Sequence, residues 1–457
     1  MNTKRKILVV LLIAASLSML VATNLVFQMS RIWNQAGSDT LLDDVYVGDA
    51  DVDGRVESIS VGTHWSPAML WRAHSRIYSH VGGAWRWEGG RNWIAGGGDT
   101  YLEGVKAGDI DYDGKGEIVT CGWYVNATTG MPWMQLKAFT KPRGYAKPAP
   151  EAEYHSNEDF PGIRLHDIEL GDVDRDGTVE EVVVGDVWFS PPPPPIYMSP
   201  VVKVYHKSNP TFTWEGTFVE AEKNGTFWGV DIYELDYDGR FEIVAVGEVH
   251  GPGPVKYGLI CIYEFNGASW VKEGQWHMED PEGGNLTWYD VEANDLDDDG
   301  TIEFVVVGYA SYPYPGPPRW GVYAVYQWNG TVLTIEDWGY APWPDSVYRG
   351  VVTGGLKPNA GIPDIDRDGK TEFAVVGWVF NSTVGVDYGL LAVYRWNPSS
   401  PPSILESSNI WGVPSGNTRC YAVGFGDIDR DGLWELVTAG HYWNGAVWTA
   451  EVRVYNT

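Results

Sequence analysis

The chain has 457 residues and a net charge of −29, with 61 acidic residues against 32 basic ones. A balance this acidic, with no basic run beyond the first few residues, excludes a nucleic-acid surface, which needs clustered Lys and Arg to meet phosphate. The three widely separated cysteines, Cys121, Cys261 and Cys420, exclude a disulfide framework or a zinc cluster and read as buried free thiols.

At the N-terminus, Lys4, Arg5 and Lys6 precede an uncharged, mostly apolar stretch from Ile7 to about Phe27. That is roughly the 20 residues a helix needs to span a bilayer, and positive charge ahead of it keeps that end in the cytoplasm. Residues 1–29 are therefore expected to form a signal-anchor helix, with residues 30–457 outside the cytoplasm at the cell surface. Cleavage and secretion are the alternative, although Leu20-Val21-Ala22 places a large residue where a cleavage site wants a small one.

From there on one unit recurs. The pattern D/E-x-D-x-D-G-x-x-E occurs seven times, at spacings of roughly 60 to 70 residues, which marks a repeat architecture. Copy one presents Asp49, Asp51, Asp53 and Glu57; copy two, Asp109, Asp111, Asp113 and Glu117; copy three, Asp172, Asp174, Asp176 and Glu180. Copy four begins on the longer Glu234 and continues with Asp236, Asp238 and Glu242; copy five has Asp295, Asp297, Asp299 and Glu303. Copy six has Asp364, Asp366, Asp368 and Glu372, directly after an insertion over Leu356–Pro363; copy seven has Asp427, Asp429, Asp431 and Glu435. Clustered carboxylates on a tight loop supply the six to eight oxygens that Ca²⁺ takes. Asp and Gly also favour plain turns, but four carboxylates within nine residues repel one another unless a cation neutralises them. An EF-hand is excluded, because it needs its glutamate at position 12 and helices on both sides.

Each loop sits between strand-like segments. An apolar run such as Asp167–Gly171 enters it, and a β-branched run ending in glycine leaves it: Glu181–Gly185, Ile243–Gly247, Phe304–Gly308, Phe373–Gly377 and Leu436–Gly440. Such runs read as strands buried on both faces. An alternating strand follows (Val201–Tyr205, Leu259–Tyr263, Val322–Tyr326, Leu390–Tyr394), then a turn such as Asn329-Gly330 and a fourth strand, Leu333–Trp338 in that copy. Four strands repeated seven times predict an all-β, seven-bladed propeller. About three strands remain after the seventh loop, ending at Glu451–Tyr455, and Arg31–Asn34 is placed to supply the missing outer one.

This loop in this setting resembles the FG-GAP and VCBS-type repeat family, whose relatives include the N-terminal propeller of integrin α subunits. The resemblance covers about residues 31–457. It implies that each loop joins the first and second strands of a blade and binds calcium, up to seven ions, through the side chains at positions 1, 3, 5 and 9 and a main-chain carbonyl at position 7. The chain departs from the family in carrying Glu at position 9 where integrins usually have Asp, and in lacking most Phe-Gly and Gly-Ala-Pro hallmarks, Phe425-Gly426 being the nearest echo.

The connections after the second strands are rich in aromatics: Trp65, Trp123, Trp188, Tyr309, Trp320, Trp378 and Trp443, with His64, His250 and His441. Rings on loops stack on sugars or bind apolar peptide, or else pack between blades. Of these, Trp65, Trp123, Trp188, His250, Tyr309, Trp320, Trp378 and Trp443 are the ligand-binding candidates. Five N-x-S/T sequons, at Asn126, Asn224, Asn285, Asn329 and Asn381, are candidate glycosylation sites. The expected function is a calcium-stabilised, surface-anchored binding or adhesion module for a glycan or a cell-surface protein, with no catalytic residues. The alternative is a carbohydrate-active enzyme of polysaccharide-lyase type, which needs Arg, Lys, Tyr and His to converge; Arg72, His74, Arg319 and Arg349 are the scattered candidates.

Overall fold

The computed structural model describes residues 25–457 except 35–36, 83, 144–146, 157–159, 190–197, 209, 222–223, 254, 298, 313–318, 355–363, 366–369 and 398–400. Seven antiparallel four-stranded sheets follow one another along the chain, and the innermost strand of the first packs against that of the last. The ring is a seven-bladed propeller. Among the described residues there is no helix. The expected membrane helix lies on residues outside the described ones, except at its C-terminal end. There Val26 to Met29 belong to a strand, Val26–Trp33, so a helix ends before Val26 rather than at residue 29.

That strand closes the ring. It pairs antiparallel with the last strand of the chain, Trp448–Asn456, and completes the seventh sheet from outside. The first and last strands thus share one hydrogen-bonded sheet, which is the closure expected of Arg31–Asn34.

Each sheet is buried on both faces between its neighbours. The second strands, such as Glu180–Trp188, are consequently buried along almost their whole length, which is why they read as unbroken Val and Ile rather than as alternation. The apolar residues form seven clusters, and each joins two adjacent blades. Ile59, Val61 and Ile77 of the first blade meet Leu102, Val105 and Ile118 of the second, and Leu42 and Val45 of the first meet Val437 and Val452 of the seventh. Cys121, Cys261 and Cys420 are free and buried within these interfaces.

Every inner strand carries a bulge opposite a second-strand glycine. In the first blade Leu42 pairs with Gly62 and Asp44 with Val61, leaving Asp43 as the extra residue. A Cβ on that glycine would meet the carbonyl oxygen of Leu41 at 2.2 Å. In the fifth blade a Cβ on Gly308 would lie 1.9 Å from the carbonyl of Thr287. The glycine that ends each β-branched run is therefore what admits the bulge. Gly308→Ala is expected to cost about 3 kcal/mol, as forced overpacking against backbone does, measurable as a lowered urea midpoint at unchanged slope.

Candidate functional site

The seven bulges place one extra residue of each blade on the axis, as bulges beside binding sites commonly re-aim a side chain. In blade order these are Asp43, Glu103, His166, Trp228, Tyr289, Arg349 and Tyr421. Together they line one cavity of about 90 Å³. Each sits near the start of its inner strand, whereas the acidic loops follow the inner strands' ends, so the ring faces the mouth opposite the loops. Seven structurally equivalent positions hold two carboxyls, an imidazole, a guanidinium, two phenols and an indole.

On one side of the ring the polar groups interlock across blades. His166, buried, lies 2.7 Å from Glu103 through Nδ1 and 3.1 Å from Asp186 through Nε2. Trp123 donates to Glu103 at 2.6 Å, while Trp188 and Arg164 donate to Asp186 at 2.7 Å each. Burial disfavours an imidazolium at His166, but the two flanking carboxylates outweigh it and hold the ring nitrogen above its ordinary pKa. Glu103 and Asp186 are in turn held below theirs: burial opposes this, and the His166 partnership overrides it.

Across the mouth, Arg349 lies over the Tyr289 ring at 3.8 Å, with Tyr421 at 5.1 Å and Trp228 at 5.8 Å from the guanidinium carbon. Among the described residues it has no ion-pair partner. Burial, reinforced by Glu103, pushes the Asp43 carboxyl well above the usual range against the pull of Arg349. Burial also lifts the Tyr289 phenol to about 12. The Trp228 indole lies tilted against His166, ring centroids 4.3 Å apart, and its Nε1 is buried without a hydrogen-bond partner among the described residues. Directly below, Asp44, Asp167 and Asp290 accept the main-chain N–H of Val105, Val230 and Val351 in the next blade, at 2.8–3.0 Å. These three acids staple alternate blades and are structural.

The aromatics singled out from the sequence sit around this mouth in different roles. Tyr309 and Trp378 stand behind Tyr289 and Tyr421 at 5.8 and 5.5 Å, and Trp123 and Trp188 serve the His166 network. Trp65 and Trp443 pack on Trp71 and Trp448, Trp320 is half-buried at a strand start, and His250 lines a separate hollow with Tyr257 and His277. His441 stacks behind Tyr421 at 4.9 Å, and burial lowers its pKa to about 3, so it is neutral. Of the four scattered candidates, Arg349 reaches the ring; Arg72 sits opposite His64 in a strand pair, His74 is buried against the Leu41 carbonyl, and Arg319 pairs with Asp345. Asn126, Asn224, Asn285 and Asn381 lie in or beside connections on the mouth face, and Asn329 lies on the loop face. The ring residues other than Arg349 escaped sequence reading. The signal was present: each lies two residues after the one whose carbonyl abuts the conserved-in-position glycine of its own blade's second strand.

On the opposite face the acidic loops are shaped as tight cages. Position 6 is a glycine at positive φ, as at Gly177 (90°) and Gly239 (93°), where a side chain would be strained. The position-1 acid accepts the N–H of that glycine, as Asp49 does from Gly54 at 2.7 Å. The position-9 glutamate spends one oxygen on the position-2 N–H, as Glu57 does on Ala50 at 3.0 Å. Its other oxygen turns into the loop, and in Glu57, Glu117, Glu242 and Glu435 that atom is buried with no hydrogen-bond partner. Burial pushes Glu57 to about 8 and Glu242 to about 9. Asp172, Asp174, Asp176 and Glu180 bring four oxygens within 4.8 Å of one another, as do the three acids Asp49, Asp51 and Asp53. Loop hydrogen bonds engage both oxygens of Asp49 and Glu180 but leave the second oxygens of Glu57, Glu117, Glu242 and Glu435 buried and unanswered, which fits a metal ion. Asp366 and Asp368 of the sixth loop lie outside the described residues, while Glu372 keeps the same bond to Ile365 at 2.9 Å.

No family profile matches this sequence, and no curated protein does so either. Among solved structures the chain is similar to a putative 6-phosphogluconolactonase from Bacteroides fragilis, at 11% identity over 82% of this chain and 98% of that one, with a TM-score of 0.37. It is also similar to the NanB sialidase from Streptococcus pneumoniae, at 10% identity over 93% of this chain and 70% of that one, with a TM-score of 0.45. Likenesses this distant do not bear on function.

The His166 network generates a pH prediction. A histidine held above its unfolded pKa of about 6.5 stabilises fully below that value, and the contribution disappears as pH rises through the folded pKa. The wild type should therefore lose stability from about pH 6.5 upward, and His166→Gln should flatten that slope in denaturant titrations across pH.

Proposed function

We propose that this chain is a calcium-stabilised, FG-GAP/VCBS-type propeller at the cell surface that binds a glycan in its axial mouth. The observation that carries this reading is the convergence of seven side chains of five chemical kinds, one per blade, at a single narrow opening. Indole and phenol faces take the apolar faces of sugar rings, and the carboxyls and imidazole serve hydroxyls. Arg349, with no ion-pair partner among the described residues, offers its planar fork to a carboxylate, so an acidic sugar is the favoured ligand. The cavity of about 90 Å³ admits a protruding edge of one sugar, such as its carboxylate, rather than a protein face. Sequons on the same face, if glycosylated, would shield it further from a large partner. The apolar N-terminal segment anchors the propeller.

A second reading rests on the same convergence. His, Arg and two Tyr around a bound uronic acid are the groups a β-eliminating lyase needs: a cation on the carboxylate, a base for the adjacent proton and an acid for the leaving oxygen. His166 commits both ring nitrogens to Glu103 and Asp186, so on this reading Tyr289 and Tyr421 are the groups left to move protons.

A glycan array with the purified ectodomain tests both. Binding to acidic glycans that falls more than about tenfold in Arg349→Ala, with polymer length unchanged, supports the binding module. New unsaturated chain ends would turn the assignment to the lyase, and no acidic-glycan preference would sink the axial reading. Chelation should lower the melting temperature, since a site held at about 100 times its Kd contributes about 2.7 kcal/mol. An unchanged melt after verified metal removal would contradict calcium stapling.

A further inference from the structure

The seven loops are not electrostatically equivalent. Each stands next to the third strand of the following blade, whose loop-side end carries one residue just past the partner of that blade's own position-9 glutamate. Beside loop 1 this residue is Lys141, and beside loop 2 it is Lys207. At the equivalent position the other blades carry Phe265, Trp328, Trp396, Thr457 and His80.

Both lysine side chains are 0% exposed. The Lys141 ammonium contacts Asp51 at 3.0 Å, Glu88 at 2.9 Å and the Pro142 carbonyl at 3.1 Å. That of Lys207 contacts Asp111 and Glu151 at 2.9 Å each, with Glu117 at 4.0 Å. Asp51 and Asp111 are the position-3 acids of loops 1 and 2, and Glu117 is a position-9 acid. Lysine charge is therefore fixed on oxygens that a metal would use. Arg55, Lys115 and Arg240 also neighbour loop acids, but from solvent-exposed positions that allow them to swing away. A buried ammonium with its donors satisfied has no such freedom, because leaving would strand Glu88 or Glu151.

We propose that Lys141 and Lys207 are the resident cations of loops 1 and 2, so that these two loops bind a divalent ion much more weakly than the loops without a lysine. This rests on the reading of the loops as divalent-cation sites. The buried, unpartnered oxygens of Glu57, Glu117 and Asp109 leave both loops some capacity, so their affinity is lowered rather than abolished. Each lysine also ties two blades together, Lys141 the second to the first and Lys207 the third to the second.

The test is a calcium titration of the ectodomain by calorimetry, with bound ions counted by elemental analysis after gel filtration at low free calcium. The wild type should show two sites at least about tenfold weaker than the rest, as a fixed positive charge within a few ångströms demands. Lys141→Met with Lys207→Met should move those two sites into the tight class and raise the retained count by two. Should that variant fail to fold, Phe265→Lys places an ammonium beside loop 3 and should remove one tight site. Equal affinity at all loops, or a count unmoved by these changes, overturns the proposal while leaving the loops as metal sites. An absence of bound ions from all seven loops would overturn both.

Discussion

The constraint on which the rest of this structure depends is that no blade can bury its own apolar faces. A four-stranded antiparallel sheet has two of them, and here each is covered only by the next sheet around the ring. The apolar residues consequently form seven interfacial clusters rather than one core. An open row would leave two sheet faces bare, one at each end; the ring leaves none. Pairing Val26–Trp33 with Trp448–Asn456 makes closure a hydrogen-bonded ladder, so the two ends of the chain cannot part without breaking it.

Stacking sheets radially has a geometric consequence at the axis. Inner strands crowd there, and small residues or shared hydrogen bonds must settle the contact. Gly229 and Gly350 allow the next blade's backbone to approach, with Asp290 Cα 2.7 Å and the Tyr421 carbonyl 2.9 Å from where a Cβ would stand. The bulge one residue earlier turns a side chain into the space that remains. Repetition supplies seven such positions at the same height, and the sequence fills them with five kinds of side-chain chemistry. Symmetry in the backbone thus builds an asymmetric site without any insertion.

This explains what could and could not be read from the sequence. The acidic loops were legible because their chemistry is local: nine residues hold every acid, and the glycine at positive φ has a fixed offset. The second strands were legible because burial on both faces removes polar residues. Ring closure could be read from arithmetic, three strands after the last loop and one before the first. The axial ring was not legible, because its members lie about sixty residues apart and follow no common residue type. What they share is a register slip, which leaves its trace on the partner strand as a glycine. The tryptophans drew attention because they are conspicuous, yet Trp123 and Trp188 act by orienting Glu103 and Asp186, and Tyr309 and Trp378 by backing Tyr289 and Tyr421.

The two faces of the ring pose opposite electrostatic problems. At the loops, carboxylates gathered by the fold need positive charge from outside the local sequence, and the position-9 oxygens show how deeply that need is buried. Where the neighbouring blade brings a lysine, as at Lys141, the fold supplies that charge itself. At the mouth the charges are already answered in part: His166 lies between two carboxylates, and Arg349 rests on aromatic faces that attract a cation without neutralising it. An arginine held in this way keeps its full charge while its stacking partner fixes its plane. That is the state in which a guanidinium recognises a planar anion with least loss of side-chain freedom.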